Sequence, residues 1–167
     1  MFNRFRNNGP AILVPAAWTF VALSYQDITT VRTLTIAHGV MTVLLVLFAV
    51  FSYRDMKQAA LRTWWYVVVI GVVVTLTGLI GLLYSPLNGT LPAIALGGWM
   101  ILPAVGFIDT GRRPGAAKMT TIAPAVLTLC GAGVFYLIDK SAIAQLAGLT
   151  LVGLGQTIGI ADAVWRY

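Results

Sequence analysis

A chain of 167 residues that is 59% hydrophobic and 10% charged, with a mean hydropathy of +0.87, excludes a water-soluble globular domain, which carries about 25% charged residues. Glutamate is absent, and the five acidic residues, Asp27, Asp55, Asp109, Asp139 and Asp162, lie near the ends of apolar runs. The net charge of +6 comes as short basic clusters at those same ends, without a basic face or an aromatic-interleaved groove, so lipid headgroups are the expected partner and nucleic acid is excluded.

Six apolar segments follow, each judged against the roughly 20 helical residues that cross a hydrocarbon core of about 30 Å. The first, Pro10–Tyr25, has 16 residues and contains Pro15, so it crosses only by extending toward Ile28, by tilting or by thinning the bilayer. Arg4 and Arg6, the apolar run and then Ala22-Leu23-Ser24 also spell a cleavable signal peptide; the stretch is expected instead to be retained as a crossing. The second segment, Leu34–Tyr53, carries His38 near its outer end. A single histidine cannot supply both axial ligands of a haem, and no His, Cys and Met spacing marks a metal set, so neither a cofactor nor a metal is expected. His38 reads as structural or interfacial, with titration near neutrality keeping a gating role open.

The third segment, Trp64–Tyr84, holds Thr75 and a small-residue set of Gly71, Gly78 and Gly81. The fourth and fifth, Leu91–Ile108 and Met119–Ile138, are interrupted by Pro103 and Pro124, and each proline leaves a backbone carbonyl that needs another donor. Thr128 lies mid-way along the fifth, and Cys130 reads as an inert core residue. In the sixth, Ala142–Val164, the residues Ala144, Gly148, Gly155, Gly159 and Ala163 recur at steps of four and seven and form a stripe for close helix approach. Gln156 is the deepest strongly polar side chain in the chain. It either bonds a neighbouring helix or, with Thr75, Thr128, Thr157 and His38, lines a wet path. The third and sixth segments are therefore expected to be inner packing elements.

Basic residues resist translocation, so their distribution tests the count. Six crossings with both termini cytoplasmic place nine on the inside (Arg4, Arg6, Arg54, Lys57, Arg62, Arg112, Arg113, Lys118 and Arg166) and two outside (Arg32 and Lys140). Without the first crossing the split falls to seven against four. Tyr25, Tyr53, Trp64, Trp65, Tyr66, Tyr84, Tyr136, Trp165 and Tyr167 fall at the expected interfaces as aromatic belts. The expected fold is thus an all-α polytopic integral membrane protein of the plasma or inner membrane. It forms one transmembrane domain over 1–167 with six transmembrane helices, N-in and C-in.

Two stretches raise the question of duplication. "GPAILVPAAW" (Gly9–Trp18) and "TLPAIALGGW" (Thr90–Trp99) share Pro, Ala, Ile and Trp, and "TIAHGVMT" (Thr35–Thr42) aligns with "TIAPAVLT" (Thr121–Thr128) without a gap. If halves 9–86 and 90–167 descend from one three-helix unit, odd parity makes this a 3+3 inverted repeat. In outline the chain is similar to the acetate uptake and urea channel families, with six helices and short loops, and "NGPAILV" (Asn8–Val14) looks like the Asn-Pro-Ala-Pro signature of the former; the acidic residue of that family's second helix is missing here. The energy-coupling vitamin-binding subunits share size and topology. The first two likenesses imply ring-shaped oligomers, and none carries over a functional residue.

Ser24, Asp27 and His38 lie near one outer loop, but nothing around Ser24 forms a strained nucleophile turn, and an enzyme is not expected. The expected function is a channel or facilitator for a small solute, running past Gln156 and the threonines. The alternative is a non-catalytic accessory subunit of a larger membrane complex. Partners on either reading are the bilayer and other membrane subunits or further copies of the chain.

Overall fold

The computed structural model describes residues 2–57, 59–84, 89–113, 118–138 and 141–166. They form six helices: α1 (Phe2–Tyr25), α2 (Val31–Ser52), α3 (Ala59–Tyr84), α4 (Thr90–Arg112), α5 (Lys118–Leu137) and α6 (Ala142–Arg166). The last five are long and apolar enough to cross a membrane, whereas the apolar part of α1 is the shorter run Gly9–Tyr25. The chain is therefore an all-helical, multi-pass membrane bundle.

Its first helix gains length in the opposite direction from the one expected. It starts at Phe2 and stops at Tyr25, well short of Ile28. The stop is chemical. Asp27 adopts φ 56, its N–H donates to the Ser24 carbonyl at 3.3 Å, and the Ile28 N–H donates to the Leu23 carbonyl at 3.1 Å. That pair of bonds closes a helix end around a left-handed residue, a conformation Asp tolerates better than most. Three residues later Thr30 caps α2, its hydroxyl accepting from the Thr33 N–H at 3.2 Å.

Contacts show that α2 and α3, α3 and α4, and α5 and α6 run antiparallel. His38 near the start of α2 meets Gly78 near the end of α3, and Trp65 at the start of α3 donates to the Ala49 carbonyl near the end of α2. Thr63 pairs with Asp109 across opposite ends of α3 and α4, and Gly131 of α5 faces Gly148 of α6. Helix α2 packs on α3, α3 on α4, and α6 on α1, while α5 sits against both α4 and α6. Among the described residues α1 and α2 share no extended packing face, although five residues join them. The bundle is thus a curved row whose two ends are sequence neighbours.

Lipid tails are as apolar as leucine, so burial alone does not draw these helices together; close van der Waals contact does. A methyl group at Gly131 would lie 2.7 Å from the Gly148 carbonyl oxygen, and one at Gly148 would lie 2.8 Å from the Gly131 oxygen. At Gly155 it would stand 2.6 Å from Thr128 Oγ1, and at Gly159 it would run into the Phe107 ring. On α3, Gly71 lies under the Trp99 ring, Gly78 against Ala95 and His38, and Gly81 against Leu91 and Pro92. Both glycine sets therefore meet partners within a single chain. Two buried clusters fill the spaces between: Trp18, Met100, Phe135, Leu149 and Val152, and, toward the other end, Ala104, Phe107 and Ala125.

Cys130 is not in this core. It is exposed on the outer side of α5, beside Ile122, Val126 and Leu127. The buried stripe of that helix runs through Pro124, Ala125, Thr128, Gly131 and Phe135, and position 130 falls off it. Apolar surroundings along the sequence are shared by the core and by lipid.

Candidate functional site

Four side chains, Trp18, Gln156, Trp99 and Thr75, form a polar relay across four helices. The Trp18 indole N–H of α1 donates to Gln156 Oε1 of α6 at 3.0 Å. Gln156 Nε2 donates to the Trp99 carbonyl of α4 at 2.8 Å. The Trp99 indole N–H donates to Thr75 Oγ1 of α3 at 2.9 Å, and the Thr75 hydroxyl donates to the Gly71 carbonyl at 2.8 Å. Gln156 and Thr75 are each 2% exposed.

Local sequence explains each step. In an uninterrupted helix the Trp99 carbonyl would accept the amide N–H four residues on, but that residue is Pro103, which has none. The freed carbonyl is the group that the Gln156 amide satisfies. Glycine places the rings: a methyl at Gly153 would stand 3.0 Å from Trp18 Cβ, and one at Gly71 would stand 2.5 Å from the Trp99 ring. Trp18 thus lies on a glycine of α6 and bonds the polar residue three positions further on, while Trp99 lies on a glycine of α3 and bonds the one four positions further on.

The other residues expected along a path fall outside the relay. Thr128 is 0% exposed beneath Gly155, and its hydroxyl has no hydrogen-bond partner among the described residues. Thr157 is partly buried on α6. His38 lies on the α2–α3 interface, its Nδ1 3.0 Å from the Leu34 carbonyl and its ring against Gly78. Thr42, Thr77 and Thr150 each donate to the carbonyl four residues back on their own helix. Ser24 donates to the Phe20 carbonyl and accepts from Thr29.

The relay is walled by Met100, Leu149 and Val152, which are 0–1% exposed. Two shallow hollows of about 470 and 480 Å³ lie on the outer faces of α5 and α6; they are lined by apolar residues and Thr150, and neither reaches the relay.

A second polar cluster joins the opposite ends of α3 and α4. Thr63 donates to Asp109 Oδ2 at 2.6 Å, and Arg113 reaches both that carboxylate (Nε, 3.0 Å) and the Thr63 hydroxyl (Nη2, 3.0 Å). Beside it Trp64 stacks edge-on against Phe107, ring centres 5.0 Å apart, and donates to Thr110 at 3.2 Å. Trp64 and Asp109 were legible only as interface residues. The partners they take across the interface, Thr110 for Trp64 and Thr63 for Asp109, depend on which end of α4 lies beside α3.

Compared with models of protein families, with curated proteins and with solved structures, the chain matches none. The likeness to the acetate uptake and urea channel families is one of outline alone.

Proposed function

We propose that the protein is a non-catalytic accessory subunit of a membrane complex, a packing element rather than a conduit. The observation that carries this reading is the relay itself. Gln156 and Thr75, with the Trp18 and Trp99 indoles, spend their hydrogen bonds on one another and on the Trp99 and Gly71 carbonyls, behind an apolar wall, and the buried Thr128 lies apart from them. Water competing for those groups would have to break bonds that hold α1, α6, α4 and α3 together. Broad apolar faces, α2 above all, remain open to lipid or to other membrane subunits.

The same proposal places both termini in the cytoplasm and six crossings in the plasma or inner membrane, supported by the nine-to-two distribution of basic residues. It also includes an origin by inverted duplication of 9–86 and 90–167. Supporting that origin, Trp18 and Trp99 occupy corresponding places near the two "PAI" stretches, and each reaches the third helix of the other half.

Flux through liposomes tests the function. Protein reconstituted at known density should pass urea, glycerol and acetate no faster than empty liposomes do. Flux well above that background, abolished by Gln156→Leu in protein that still folds, would overturn the proposal in favour of a channel.

A further inference from the structure

The turn between α2 and α3 holds a cation in an aromatic frame. The Arg62 guanidinium lies 5.5 Å from the ring centre of Tyr53, 4.7 Å from that of Trp65 and 4.8 Å from that of Tyr66, and its Nη2 donates to the Tyr66 hydroxyl at 3.3 Å. The frame is braced. Tyr53 meets Trp65 edge-on at 5.4 Å, Trp65 meets Tyr66 at 5.4 Å, and the Trp65 indole is tied to the Ala49 carbonyl at 2.9 Å.

A cage of three aromatic rings ordinarily recognises a cationic ligand such as a quaternary ammonium. This one is filled by the chain's own arginine. What it holds in place at the start of α3 is a positive charge, and a fixed cation selects an anion. Lys57 adds a second charge, its ammonium 5.4 Å from the centre of the same Tyr53 ring. From Ser52 to Arg62 the chain has three basic residues, Arg54, Lys57 and Arg62, against one carboxylate, the exposed Asp55.

We infer that this turn binds the phosphodiester of an anionic phospholipid. A planar guanidinium fork matches two phosphate oxygens, and a flexible ammonium beside it contributes a point charge. Tyr and Trp rings lie at headgroup depth in membrane proteins, and exposed Val50, Phe51 and Leu61 flank the turn with apolar surface for acyl chains. Charge density alone points elsewhere, to "DTGRRPGAAK". There, however, Arg113 is engaged by Asp109 and Thr63. The inference needs only the membrane fold and holds whether or not the chain is an accessory subunit.

Native mass spectrometry of the full chain in mild detergent tests it, with dioleoyl phosphatidylglycerol and dioleoyl phosphatidylcholine as matched probes. One phosphatidylglycerol should be retained at least about tenfold more tightly than phosphatidylcholine, the range expected for charge-assisted hydrogen bonds. Arg62→Gln and Lys57→Gln should each remove most of that preference. Arg32→Gln, which deletes the same charge at the other end of α2, should leave it intact, and inorganic phosphate should not displace the lipid. If Arg62→Gln does not fold, Lys57→Gln carries the test, since its ammonium lies over the exposed Tyr53 ring. Equal losses in Lys57→Gln and Arg32→Gln, equal retention of the two lipids, or displacement by inorganic phosphate would each overturn the inference.

Discussion

If Gln156 is the donor that satisfies the carbonyl freed by Pro103, then the two residues must be energetically coupled although 53 positions separate them. Gln156→Leu puts an apolar side chain of similar size in place of the amide and removes both interhelical bonds, at 3.0 and 2.8 Å. Such bonds average about 0.6 kcal/mol in membrane proteins and reach about 1.7, so the loss is about 1–3 kcal/mol. Pro103→Ala restores an amide N–H to the Trp99 carbonyl, at some cost in ring packing. In the double variant that carbonyl is satisfied within α4, and only the Trp18 bond is missing. The double variant should therefore be less destabilised than the sum of the singles, by about 0.6–1.7 kcal/mol. Reversible unfolding of the four proteins in dodecyl maltoside with added dodecyl sulfate, followed by far-ultraviolet circular dichroism, measures the cycle. Additivity within about 0.3 kcal/mol, the usual result for independent sites, would refute the assignment of Gln156 to the Trp99 carbonyl.

Two further outcomes follow from packing. Gly131→Ala places a methyl 2.7 Å from backbone atoms of Gly148 and Val152, so α5 and α6 must part, at about 1–3 kcal/mol; Gly133→Ala meets nothing within 4 Å and should be neutral or stabilising by up to about 1 kcal/mol. Equal shifts in unfolding midpoint would show that α5 and α6 do not approach so closely. Thr128→Val removes a buried hydroxyl that has no partner among the described residues and keeps its shape, so it should stabilise by about 1 kcal/mol. A loss of that size in the same titration would show that the hydroxyl is bonded.

The glycine stripe of α6 illustrates how far sequence reasoning reaches. Its spacing announces close approach on one face, because helical period is local geometry. Whether the face meets another subunit or the same chain depends on how the chain returns, and here it meets α5 and, at Gly159, Phe107 of α4. Pro103 is similar. A proline in a helix guarantees a free carbonyl, but the donor that fills it lies 57 residues beyond that carbonyl. Cys130 shows the converse failure. Composition does not separate lipid from core, since both are apolar, and only the direction a side chain takes from α5 puts it outside. Arg62 was legible as one more basic residue at a helix end; its aromatic frame needs Tyr53, which reaches it only once α2 has turned back along α3.

What the sequence determined by itself was the material: a chain too apolar for water, cut into six helix-length pieces by charged, glycine- and proline-bearing turns, with small residues spaced for tight contact. Those properties depend on residues close in sequence and on the solvent, so they survive without a fold. Tertiary structure decided what each freed carbonyl, indole and amide is joined to. The Trp18–Gln156 bond spans 138 positions, and a hydrogen bond acts only over a few ångströms, so no local pattern records the pairing until the helices have packed.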